Sequence, residues 1–123
     1  MTIRLARLKT RGDFLRVAAE QARAVRPGLI LQAAPQPDGS EAAPRVGFTA
    51  SRRVGNAVAR NRAKRRLRAA ASSVLPLHGR PGTDYVLIAR AGTGERAYAA
   101  LLGDLEGALR QLARPRGARG GDG

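Results

Sequence analysis

The stretch that most restricts what this chain can become is "RVGFTASRRVGNAVARNRAKRRLRAA", residues 45 to 70, with nine basic side chains and no acidic one. No Asp or Glu occurs between Glu41 and Asp84. Solvated helices ordinarily interleave acids with bases, so that pairs three or four residues apart cancel repulsion. Nothing in this segment does so, yet its patterning is that of folded structure. Val46, Phe48 and Ala50 alternate with Gly47, Thr49 and Ser51 as in a strand. Asn56 suits a helix N-cap, and Ala59, Ala63, Leu67, Ala70, Ala71 and Val74 then fall on one side at 100° per residue. Asn61, Lys64, Arg65 and Arg68 project to one flank of that stripe and Arg62 and Arg66 to the other, with Arg60 near its edge. A folded, self-repelling helix of this kind calls for a polyanion, and guanidinium groups match phosphate oxygens two at a time.

The rest of the chain supplies the scaffold. Thr10 and Asp13 read as a capping box opening a helix over about residues 11 to 25, with Phe14, Val17, Ala18, Ala22 and Val25 as its stripe and Pro27-Gly28 as its stop. Leu29 to Ala34 and "RVGFTAS" form two strands, expected as an antiparallel hairpin joined by the long turn-rich loop "PQPDGSEAAP". "TDYVLIAR", residues 83 to 90, is the clearest strand, and its near-continuous apolar character predicts a central position. Pro76 is expected to end the basic helix. A last helix is expected from about Glu95 to Ala113, with Tyr98, Leu101, Leu102, Leu105, Leu109 and Leu112 inward. Tyr85 and Tyr98 read as core. With 123 residues, one domain spanning 1 to 113 is expected, followed by a disordered basic, Gly-rich tail over 114 to 123.

Charge and composition narrow the partners. The formal charge is +14, from 23 Lys and Arg against 9 Asp and Glu, so the whole molecule attracts nucleic acid. There is no cysteine and one histidine, His78, which leaves no thiolate or multi-histidine metal site. No paired-carboxylate or histidine constellation for bond cleavage stands out. No apolar run reaches the length of a membrane span, and a cytoplasmic protein is expected. An amphipathic membrane helix would carry bulky residues where this stripe has mostly Ala, and a helix-turn-helix reader would place a helix where "RVGFTAS" reads as a strand. Lipid is thereby disfavoured, while DNA readout stays possible beside structured RNA but lacks its usual scaffold.

The same stretch resembles the signature of the bacterial ribonuclease P protein component, whose basic helix contains an Arg-Asn-Arg core, here Arg60-Asn61-Arg62. The resemblance extends to "RLKTRGDF" and "DYVLIAR" and covers residues 7 to 112. It implies an α/β (α+β) two-layer sandwich, ribosomal-protein-S5-domain-2-like, of element order αβββαβα with a left-handed βαβ crossover. That hand is opposite to the usual one. It further implies an accessory protein subunit of an endoribonuclease, binding the catalytic RNA and the 5′ leader of precursor tRNA, whose leader is removed to give the mature 5′ end. Magnesium would be held mainly by the RNA, and no obligatory protein partner or membrane is implied.

Carried over residue by residue, the resemblance assigns catalytic-RNA binding to Arg60, Asn61, Arg62, Lys64, Arg65 and Arg68, and the turn leading into the helix to Gly55 and Asn56. Phe14, Leu31, Thr49, Ser51, Arg52 and Arg53 match the leader-binding cleft. Relatives often carry further aromatic residues in that cleft where this chain has Ala18, Gly28 and Leu31. The alternative expectation is a ribosomal or general structural RNA-binding protein with no cleavage role.

Overall fold

The structure, a computed structural model, describes residues 5–37 and 42–113. In chain order its elements are β1 (Ala6–Arg7), α1 (Arg11–Ala19), β2 (Ala22–Arg26), β3 (Leu29–Pro35), β4 (Arg45–Ala50), a 3-10 turn (Arg52–Val54), α2 (Ala57–His78), β5 (Thr83–Ala89) and α3 (Tyr98–Ala113). The five strands make one sheet in the order β1-β4-β5-β3-β2. Antiparallel pairing joins β2 to β3 and β3 to β5, while β4 pairs in parallel with both β1 and β5. The connection between the parallel neighbours β4 and β5 is α2, and β1 stands in front of the expected αβββαβα order. The proposed tail over 114–123 and residues 38–41 of the long loop lie outside the described residues.

Strand alternation splits the core in two. Leu29, Leu31, Val46, Tyr85 and Leu87 face α2 and α3, where they meet Ala63, Leu67, Ala71, Leu75, Leu101 and Leu105. Small residues along α2 let its axis approach the sheet closely, leaving the longer basic side chains outside the contact. On the other face Ala34 and Val86 pack with Leu8 and Val17, and Phe14 and Ile88 close over them. The sheet and α2/α3 are thus the two main layers, with α1 laid across part of the open face. Strand β5 is central as expected, with Tyr85, Val86 and Leu87 all buried.

Several expectations are corrected. Helix α1 stops at Ala19 rather than continuing to 25, because Gln21 takes a left-handed backbone conformation (φ 63°) and the chain turns back as β2. Ala22 and Val25 fit a helical stripe by spacing, but Ala24 is the buried residue and Val25 is exposed. Five residue pairs with β3, from Ala22 with Ala33 to Arg26 with Leu29 across the Pro27-Gly28 turn, outweigh the local helical preference. The expected hairpin of β3 with β4 does not form: β5 lies between them and pairs with both. The most apolar strand takes the position buried on both faces.

Two helix ends also differ. Helix α2 runs past Pro76 to His78, since a proline in the last turn removes only a hydrogen bond to the carbonyl of exposed Ser72. Helix α3 begins at Tyr98, not Glu95, and the Tyr98 side chain is 40% exposed rather than core. Tyr85 is buried as expected, its hydroxyl accepting from the backbone N–H of Arg80 at 3.0 Å. Of the expected capping box on α1 the Thr10 half forms, with the Asp13 backbone N–H donating to Thr10 Oγ1 at 3.1 Å, while the Asp13 carboxylate accepts from the Thr10 hydroxyl at 3.0 Å.

Candidate nucleic-acid interface

The basic helix is held firmly at its start. Asn56 Oδ1 accepts from the Ala59 backbone N–H at 2.9 Å, supplying one of the partners that a helix N-terminus lacks. Before it, Gly55 has φ 140°, a conformation that side chains rarely tolerate, so the turn into the helix needs glycine there. Arg60 Nη1 donates to the Gly55 carbonyl at 2.9 Å, bracing the same turn.

Around the helix the basic residues sort into two groups. Arg66 is structural: it donates to the Thr93 carbonyl at 2.7 Å and the Arg96 carbonyl at 2.5 Å, clamping the loop before α3. Asn61, Arg62, Arg65 and Arg68 are exposed, and Arg60 and Lys64 half-buried. Among the described residues no carboxylate forms an ion pair with any basic side chain of α2. The ion pairs that do form use Asp13, Asp84 and Asp104, all on other elements. An unneutralised helix face of this kind suits phosphate groups.

A second surface lies on the α1 side of the sheet. Pairing register places Val25, Ile30, Ile88 and Thr49 side by side, one from each of β2, β3, β5 and β4. Beside this row the Phe14 ring sits half-buried on Gly47. At the end of β4, Ser51 Oγ accepts from the Arg53 backbone N–H at 3.3 Å, and Arg52 and Arg53 are exposed where the chain turns toward α2. Half-exposed apolar side chains and one aromatic ring, with two arginines at the end of β4, form a surface of the kind that can take unstacked bases and their phosphates.

Of the residues matched to the cleft, the structure brings Phe14 and Thr49 together on this face, with Ser51, Arg52 and Arg53 at its end. Leu31 does not belong there. It is 0% exposed, on the opposite face against α2 and α3, because its neighbours Ile30 and Gln32 take the open side. Ala18 is exposed on α1. Gly28 faces α3, where a Cβ would lie 2.7 Å from Arg96 Cδ and 2.8 Å from Leu101 Cδ1, so no aromatic residue fits. Sequence reading missed Ile30, Ile88 and Val25; the signal was the period-two alternation of β5, where Ile88 follows Val86 on the face opposite Tyr85 and Leu87.

A buried carboxylate ties α1 to β4 and β5 at the other end of the sheet. Asp84 is 0% exposed and accepts from Arg45 through Nε at 2.8 Å and Nη2 at 2.7 Å, and also from Arg16 Nη2 of α1. Burial by itself would raise its pKa, but the hydrogen bonds and charges of Arg45 and Arg16 prevail and hold it below the usual carboxylate value. Arg16 also donates to the Pro35 carbonyl at 2.9 Å, fixing α1 over β3. Among the described residues no group of three or more His, Cys, Asp or Glu is placed to hold a metal ion, and no helix is long and apolar enough to cross a membrane.

Comparison with known proteins places this geometry. The family model for ribonuclease P matches residues 3–113. The ribonuclease P protein component of Paramagnetospirillum magneticum is 54% identical over 114 residues, covering 91% of this chain and 86% of the relative. That of Caulobacter vibrioides is 51% identical over 112 residues, covering 91% of this chain and 74% of the relative. In fold, the chain is similar to the Staphylococcus aureus RNase P protein, with a TM-score of 0.71, 24% identity and coverage of 89% and 97%. The Thermotoga maritima RNase P protein is similar with a TM-score of 0.70, 23% identity and coverage of 89% and 96%. The expected element order and crossover are consistent with both.

Proposed function

Because the chain belongs to the ribonuclease P protein family and is thereby the accessory protein subunit of that endoribonuclease, we propose that its two surfaces divide the RNA between them. Association with the ribonuclease P RNA follows from membership. In our reading, α2 carries that contact through Arg60, Asn61, Arg62, Lys64, Arg65 and Arg68. The cleft on the other face holds the single-stranded 5′ leader of precursor tRNA, with Phe14, Ile30, Ile88 and Thr49 under the bases and Arg52 and Arg53 on the phosphates.

The observation that carries this reading is the pairing of surfaces on one sheet: an acid-free helix on one face and a half-exposed apolar row on the other, joined by the short turn from Ser51 to Asn56. A binder of one RNA needs only the first. Arginine supplies planar, two-point phosphate contacts, and base stacking contributes roughly 1–3 kcal/mol per base. With one ring, Phe14, in the cleft, leader affinity rests more on Arg52, Arg53 and the aliphatic row than on stacking. Magnesium is held by the RNA in this scheme, and the chain's own residues bind and position the leader at the RNA's cleavage centre. The site of action is the cytoplasm.

Precursor tRNA cleavage by a bacterial ribonuclease P RNA at low magnesium, with and without this protein, tests the reading. Strong stimulation is expected. Absence of stimulation with RNA binding intact would overturn it in favour of a structural RNA-binding role.

A further inference from the structure

A third set of residues lies at the sheet edge beside α2. Phe48 of β4 faces the α2 side and is half-buried. Two guanidinium groups lie over its ring: Arg68 of α2, 5.9 Å from the centroid, and Arg7 of β1, at 5.7 Å. Register accounts for the meeting, since Arg7 pairs with Val46 and so shares the face that Phe48 occupies two residues on. Both arginines are exposed. Among the described residues neither donates a hydrogen bond to a protein group or pairs with a carboxylate.

We infer that Arg7, Phe48 and Arg68 form a phosphate clamp that extends the catalytic-RNA interface from α2 around the sheet edge onto β1; this rests on the reading of α2 given above. A guanidinium lying over a ring presents its π face to the carbons and keeps its in-plane N–H donors free. Held in this way, each arginine loses less side-chain freedom on meeting a phosphate. Two like charges sharing one ring without a carboxylate nearby repel each other, and an anion bound between or beside them relieves that repulsion. The backbone of a folded RNA following α2 supplies consecutive phosphates along this edge, where β1 is the outermost strand among the described residues.

The test is the salt dependence of binding between the full chain and a transcript of a bacterial ribonuclease P RNA. Arg7→Ala is expected to lower the magnitude of the log–log slope by about 0.7 to 0.9, the loss of one phosphate contact. Arg110→Ala, an exposed charge on α3, controls for net charge and should leave the slope unchanged. Phe48→Leu keeps an apolar side chain against the core but removes the ring. It should weaken binding several-fold, and less when Arg7 is already Ala, because only Arg68 is then left on the ring. A wild-type slope in Arg7→Ala, or a change equal to that of Arg110→Ala, overturns the clamp, and neither outcome depends on the folding of the Phe48 variant. Arg65→Ala separates the two readings. If Arg65→Ala lowers the slope and Arg7→Ala does not, the clamp alone falls; if neither does, the α2 interface falls with it.

Discussion

The ring of Phe14 occupies the space that a side chain at position 47 would need: a methyl group on Gly47 would meet Phe14 Cζ at 2.5 Å and Cε2 at 2.7 Å. The Phe14 side chain of α1 can therefore reach across to β4 only because β4 has glycine there. Phe14 and Ile88 close over the same small cluster beside it.

Gly47→Ala should destabilise the fold by about 1–3 kcal/mol, the usual range for overpacking a tight contact. The double variant Gly47→Ala with Phe14→Leu should recover most of that loss while still discriminating poorly between precursor and mature tRNA. Chemical denaturation reads the first effect and competition binding the second. An unchanged denaturation midpoint in Gly47→Ala would show that the helix shifts freely.

Ile88→Thr tests the apolar row without touching α2. It should reduce preference for precursor over mature tRNA while leaving affinity for the catalytic RNA near wild type. Equal losses on both RNAs would mean that the row is only structural.

Arg65 and Arg66 are adjacent in sequence and opposite in role. Arg65→Ala should lower the salt-dependence slope of RNA binding by about 0.7 to 0.9 with little change in stability. Arg66→Ala should leave the slope alone and cost roughly 1–3 kcal/mol, because it releases the carbonyls of Thr93 and Arg96. Thermal melts beside binding isotherms distinguish them; interchanged phenotypes would refute the sorting.

Asp84 makes stability depend on acid pH. Its carboxyl is depressed in the folded protein, so its contribution is complete above the unfolded value near 3.8 and is lost as pH falls from there through the lower folded value. Asp84→Asn should cost roughly 1.5–3 kcal/mol at neutral pH. The gap between wild type and Asp84→Asn should then narrow below about pH 3.8. Unfolding free energies measured from pH 6 to pH 2.5 would show it; a gap constant across that range would contradict the assignment.

What could be read from the sequence divides along physical lines. The α2 cap, its alanine stripe and its acid-free face were legible because helix periodicity and charge are local properties. The centrality of β5 was legible because burial on both faces leaves a continuous apolar run. The end of α1 was not: Ala22 and Val25 satisfy a helical spacing, and only pairing with β3, a partner reached through the Pro27-Gly28 turn, selects the strand. Nor was the separation of β3 from β4, since β5 enters between them from the far side of α2. Leu31 was misplaced for a related reason. In a strand, a one-residue error moves a side chain through the sheet, and the motif match alone does not fix which of Ile30, Leu31 and Gln32 faces the cleft.

Because β5 is both the middle strand of the sheet and the last among the described residues, the order of synthesis matters for assembly. A nascent chain that has emerged only as far as Gly82 owns a β2–β3 hairpin, a β1–β4 pair and a long basic helix, but lacks the strand that pairs with both β3 and β4. Both parts gain their shared partner only when Thr83 to Ala89 arrives, so folding waits on contacts distant in sequence. Until then the arginines of α2 have no rigid platform, and the RNA-binding face is completed in the same step as the sheet. The topology thus ties completion of the RNA-binding platform to the arrival of β5.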